Sequence, residues 1–109
     1  MDGEYETTIS GDPIIEHYKF ADILAVWRQL EKAVDDGLLK NIGLSNFYPE
    51  MVDDILANCR IKPVNNQVES HPFLDQSELI EHHQKHNISI TAYSSIGRGD
   101  RTKVSKVPY

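Results

Sequence analysis

Apolar and polar positions alternate in three short stretches of the chain, and a segment with helical spacing precedes each one. Lys40 to Phe47 reads Lys-Asn-Ile-Gly-Leu-Ser-Asn-Phe, Val64 to Ser70 reads Val-Asn-Asn-Gln-Val-Glu-Ser, and Ile88 to Ser94 reads Ile-Ser-Ile-Thr-Ala-Tyr-Ser. They begin about 24 residues apart, the rhythm of parallel strands joined by crossover helices. Successive side chains of a strand point to opposite faces. Ile42 and Leu44 thus oppose Asn41, Gly43 and Ser45, and Ile88, Ile90 and Ala92 oppose Ser89, Thr91 and Tyr93. Val64 and Val68 oppose Asn65, Gln67 and Glu69, with Asn66 a misfit on the apolar side. One face is therefore expected to meet helices and the other something polar. An open doubly wound sheet covers both faces and prefers continuous apolar runs. A barrel wall, with one helix side and one interior side, fits this pattern better.

Each strand ends on polar residues: Ser45 and Asn46, then Gln67 and Glu69, then Tyr93 and Ser94. In parallel α/β proteins, sites are built at the carboxyl ends of strands. The spacing predicts a helix over 21–36, where Ile23, Trp27, Leu30 and Val34 form the stripe and Gly37 follows as a C′ residue. Pro49 suits the first turn of a second helix, which buries Met51, Val52, Ile55 and Leu56. Pro63 marks the start of the second strand. Asp75 and Glu78 have the spacing of a capping box for a third helix carrying Leu79, Ile80, His82, His83 and His86. His82 and His86 lie four apart, a metal-ligand spacing. No third ligand suggests itself in the sequence, so a solvated face without a metal is expected.

At 109 residues the chain allows one domain at most. A complete eight-fold barrel needs about 250 residues, so three strand–helix units make less than half of one. The formal net charge of −6 gives no support for nucleic-acid binding. The single cysteine, Cys59, excludes an internal disulfide and points to a reducing, cytoplasmic setting. Cys59 has no visible activating partner and is expected to be inert. No signal or membrane-spanning run is apparent, and the Asn87-Ile88-Ser89 sequon is therefore idle. Residues 1–19 lack periodicity and read as an irregular arm, 20–97 as the α/β unit, and 98–109 as a basic tail in which Arg98-Gly99-Asp100 has no adhesive role.

Three motifs resemble consecutive motifs of the aldo-keto reductases: Gly-Leu-Ser-Asn-Phe at 43–47, Asn-Gln-Val-Glu-Ser-His-Pro at 66–72 and Thr-Ala-Tyr-Ser-Ser-Ile-Gly at 91–97. The segment from Trp27 to Leu39 is similar to the helix before them. The resemblance covers residues 21–97 and implies roughly the fifth to seventh strands of a TIM (β/α)8 barrel that reduces aldehydes and ketones with NADPH. It implies that Ser45, Asn46 and Gln67 hydrogen-bond the nicotinamide carboxamide and that Tyr93 stacks on the ring. Ser94, Ile96 and Gly97 fall where the family holds the pyrophosphate. The cofactor implied is NADP(H), and the substrate a small carbonyl compound.

The family's catalytic aspartate, tyrosine, lysine and histidine lie upstream of these motifs, and His17 does not stand in a matching context. Its basic motif for the 2′-phosphate lies downstream, and the tail after Gly97 shows none of its pattern. The chain is thus expected to be a fragment, carrying half of a cofactor site without the catalytic acid and incompetent alone. The alternative is a non-catalytic regulatory or binding relative, which would bind cofactor without turnover. An unrelated parallel α/β module is disfavoured by three ordered motifs. Exposed strand edges would favour self-association.

Overall fold

The computed structural model describes residues 19–97. Three strand–helix units follow one another: α1 (Phe20–Asp35), β1 (Leu44–Ser45), α2 (Pro49–Asn58), β2 (Asn65–Glu69), α3 (Ser77–Lys85) and β3 (Ser89–Tyr93). The strands form one parallel sheet in the order β1-β2-β3. Leu44 pairs with Asn66, Gln67 with Thr91, and Glu69 with Tyr93. Residues 1–18 and 98–109, which include His17 and the Arg-Gly-Asp tripeptide, lie outside the described residues.

The helix ends form for the reasons their residues supply. Gly37, at φ +76°, donates to Val34 O while Leu38 donates to Ala33 O. That is the Schellman pattern, which needs a left-handed residue at C′. Pro49 opens α2, where its missing N–H is no loss. The capping box at Asp75 does not form. Gln76 is the N-cap of α3, and the Asp75 carboxylate instead accepts from Ser77 N–H at 2.9 Å and from the Ser77 hydroxyl. A short acidic side chain competes well for a backbone N–H two residues on.

Trp27, Ile42, Leu44, Val52, Ile55 and Ile88 form the buried cluster between the helices and the sheet. The polar face carries Gln67, Ser89 and Thr91, all exposed. Two polar groups nonetheless belong to the helix layer. Glu31 of α1 is 3% exposed, and its carboxylate accepts the backbone N–H groups of Arg60 and Ile61, each at 2.6 Å. The Trp27 indole N–H donates to Ile61 O at 3.1 Å. Together they pin the loop between α2 and β2 to α1, satisfying donors that burial would otherwise orphan.

Several expectations change. The stretch 40–47 is a strand only at Leu44–Ser45; before that, Ile42 O accepts from Val64 N–H, but no ladder continues. Val64, expected with Val68 on the apolar face, is exposed at the amino-terminal end of β2. Ile90 is half-buried and Ala92 exposed, because β3 is a sheet edge among the described residues. The histidines of the third helix do not form one solvated face: His83 is fully buried and His82 largely so, while His86, the C-cap of α3, is exposed.

Candidate functional site

The site assembles at the carboxyl ends of the three strands. Ser45 closes β1, and its hydroxyl donates to Gln67 O at 3.0 Å. Asn46 N–H donates to the same carbonyl at 2.9 Å, so the tip of β1 takes both lone pairs of one acceptor on β2. Asn46 then turns into the left-handed region at φ +59°, which asparagine tolerates better than most residues. The turn aims its side chain across the sheet. Asn46 Oδ1 accepts the Tyr93 hydroxyl at 2.8 Å, joining residues 47 apart and reaching over β2 from β3 to β1. Four of the residues expected at the site, Ser45, Asn46, Gln67 and Tyr93, are therefore brought together.

Their remaining hydrogen-bonding capacity is specific. The Ser45 hydroxyl proton and Asn46 Oδ1 are engaged, which leaves the Ser45 oxygen as an acceptor and the Asn46 side-chain amide as a donor. The Gln67 side chain is exposed and offers both a donor and an acceptor. The Tyr93 ring is half-buried and held at both ends, by its strand and by Asn46. A planar group with a carboxamide edge is chemically suited to this set of amide donors and acceptors near an aromatic side chain. Asn46 and Tyr93 line a wide cleft that Lys19, Glu69 and Gln76 also border.

Ser94, Ile96 and Gly97 form the turn immediately after Tyr93. Ser94 lies at φ +52° and Gly97 at φ +72°, and Gly97 N–H donates to Ser94 O at 2.8 Å. That bond occupies the Gly97 N–H, one of the groups expected to meet a pyrophosphate. The Ile96 side chain is 82% exposed. Among the described residues, Ile96 and Gly97 follow the strand end as a tight turn rather than joining the hydrogen-bonded set.

Sequence reasoning missed the support beneath the site. Asn66, the misfit of β2, is fully buried and fastens Phe47, the residue after Asn46. Its amide donates to Phe47 O at 2.9 Å, and its Oδ1 accepts Phe47 N–H at 3.4 Å. The amide also lies 2.9 Å from His83 Nε2, while His83 Nδ1 lies 2.7 Å from Leu79 O. A carbonyl only accepts, so Nδ1 carries the ring proton and Nε2 accepts from Asn66. Glu69 does similar work at the tip of β2: its carboxylate meets His71 at 3.1 Å, and its carbonyl accepts the Gln76 amide at 2.8 Å. The signal was visible at Asn66 itself, a polar residue on an apolar face. Burial and the neighbouring Glu31 raise the Cys59 thiol pKa.

Comparison with known proteins decides the family. The aldo/keto reductase family model matches residues 5–106. The chain belongs to the aldo/keto reductase family. The match extends beyond 21–97 on both sides, past Gly97 where the motifs stop. Over 75 residues the chain is 52% identical to the NADH-dependent D-xylose reductase of Candida parapsilosis, covering 69% of this chain and 23% of that protein. Against the NADPH-dependent aldose reductase of Saccharomyces cerevisiae it is 49% identical over 75 residues, covering 69% and 23%. The Bombyx mori aldo-keto reductase solved in complex with NADP superimposes with a TM-score of 0.64 at 32% identity, covering 83% of this chain and 28% of that one. The chain spans about a quarter of the length of the curated relatives it matches. Its fold is accordingly a segment of the TIM barrel of this aldo/keto reductase family, three parallel strands with their helices in an open sheet. No helix among the described residues is long and apolar enough to cross a membrane.

Proposed function

We propose that this chain provides the nicotinamide-side wall of an NADP(H)-dependent aldo/keto reductase barrel, acting on small aldehydes, ketones and the corresponding alcohols. The observation that carries the reading is the bond between Tyr93 and Asn46, which sets an aromatic face beside free amide groups at three strand ends. When bound, the nicotinamide supplies the hydride. The chain's own residues bind and orient it: Gln67 and Asn46 hold the carboxamide edge, Ser45 fixes the tip of β1, and Tyr93 provides the platform. Ser94, Ile96 and Gly97 border the phosphate side, where binding would have to free the Gly97 N–H. Relatives named for NADH and for NADPH both match, and NADP(H) is the cofactor we assign on the motif resemblance. A cytoplasmic location suits the lone cysteine.

In this reading the chain carries cofactor residues and no proton donor of its own. Typical general acid catalysis is worth about 10²–10⁴-fold, so the chain alone should give no enzyme-like turnover of a reactive aldehyde. The decisive comparison uses a barrel completed with the remaining strands of a relative. Tyr93→Ala is expected to weaken NADPH binding roughly two- to ten-fold, the loss of about 0.5–1.5 kcal/mol of aromatic stacking. Fluorescence titration reads the affinity, and circular dichroism checks the fold. An unchanged dissociation constant in a folded variant would reduce Tyr93 to packing.

A further inference from the structure

The histidine pair of α3 meets a third group that lies 29 residues away from it in the chain. Asp53, on α2, places Oδ1 2.7 Å from His82 Nε2. His86 Nε2 lies 3.7 Å from the same oxygen. The two imidazole rings stand 4.8 Å apart at 52° to each other. The ligand atoms of all three residues lie within 4.8 Å of one another. We propose that Asp53, His82 and His86 form a binding site for a divalent transition-metal ion that clamps α2 to α3, on the helix layer and apart from the cofactor face.

The geometry needs little adjustment. Zinc holds nitrogen and oxygen ligands at about 2.0–2.2 Å, which puts tetrahedral neighbours about 3.4 Å apart. An ion would lengthen the 2.7 Å Asp53–His82 approach by about 0.7 Å, shorten the 3.7 Å Asp53–His86 one by about 0.3 Å, and draw the two imidazoles closer together. The His86 and Asp53 side chains are 41% and 57% exposed, so water has access to a fourth position. The donor set selects the metal: two imidazoles and a carboxylate suit zinc, nickel, copper or iron, whereas magnesium and calcium prefer oxygen alone. A second observation concerns His82, whose Nδ1 is buried and has no partner among the described residues. The ring is otherwise held by its contacts with the His83 and His86 rings, at centroid distances of 5.3 and 4.8 Å. The missing partner also limits the site, because such outer contacts are worth about 10–100-fold in affinity. Moderate rather than tight binding is expected.

A hydrogen-bonded pair between His82 and Asp53 without any metal is the competing account, and titration separates the two. The full chain, freed of metal, is titrated with cobalt(II) by visible absorption and with zinc(II) by calorimetry. One saturable site per chain is expected, with zinc displacing cobalt and magnesium failing to compete. His86→Gln and Asp53→Asn should each weaken binding at least about ten-fold, as loss of a direct ligand exceeds loss of an outer contact. His71→Gln should leave it unchanged. Circular dichroism monitors the helices; if Asp53→Asn loses helicity, the exposed His86 position decides. Absence of saturable binding, half-site stoichiometry, equal affinity in His86→Gln, or loss confined to His71→Gln would each overturn the proposal.

Discussion

The His83 imidazole is buried without a charge partner, and it makes the fold sensitive to acid. Burial lowers its pKa, and the neighbouring His82 and His86 lower it further; the bond to Leu79 O and the charge of Asp53 oppose them. A histidine lowered in the folded state binds fewer protons there than in the unfolded chain. Its contribution is therefore complete above the unfolded value of about 6.5 and is lost as pH falls below it. Protonation would also put a second donor at Nε2, facing the Asn66 amide. The His83 ring is expected to titrate with a midpoint below the free-imidazole value, read by nuclear magnetic resonance. Urea midpoints should fall between pH 7.5 and 5.5, and less so in His83→Gln. A ring midpoint at or above the free value would contradict this account. The same residues show what a sequence conceals at this scale. Tyr93 was legible because alternation within five residues assigns its face. Asn66 was legible only as an anomaly, because its partner lies 17 residues on in a helix. The role of Glu31 could not be read from the sequence, since its partners are backbone N–H groups 29 and 30 residues away.

At the scale of elements, β1 is the shortest strand, and it carries Ser45 with Asn46 just beyond it. Only Leu44 and Ser45 pair regularly with β2. Just before them, a Cβ on Gly43 would stand 2.8 Å from Asn65 O, closer than real contacts allow. The obstacle is backbone, so relief requires moving the strand. Gly43→Ala should cost about 1–3 kcal/mol, as overpacking typically does, measured as a lowered urea midpoint. In a completed barrel it should also weaken cofactor binding, because Ser45 and Asn46 move with β1. An unaltered midpoint would show that β1 shifts freely. The helices were the most legible elements, since their stripes repeat over several turns and their stops are chemically marked at Gly37 and Pro49. The start of α3 was misread because Asp75 had two competing uses, and sequence alone does not rank a cap against a tight local turn.

For the whole molecule, the open sheet is the governing fact. β1 and β3 are both edges among the described residues, and free edges template further pairing. An apolar groove beside β1, lined by Val26, Trp27, Leu44 and Phe47, adds surface that seeks cover. The isolated chain is expected to be marginally stable and to self-associate. Light scattering should show mass rising with concentration, and calorimetry a broad, concentration-dependent transition. A sharp monomeric two-state transition would count against it. The parallel architecture could be read from three strands at regular spacing. Closure could not, because the groups that would pair with these edges are not in the stretches that carry the pattern.

Trp27 is the chain's sole tryptophan, buried in the helix layer with its indole bonded to Ile61 O. The cofactor contacts proposed above lie at the strand ends, around Tyr93, on the other side of the sheet. The two layers therefore carry separate optical reporters. Indole emission follows the docking of α1 onto the loop before β2, and nicotinamide emission follows the strand ends. A ligand that sharpens the second without moving the first would be acting on a preassembled scaffold. One that shifts both would be finishing the folding of the chain as it binds.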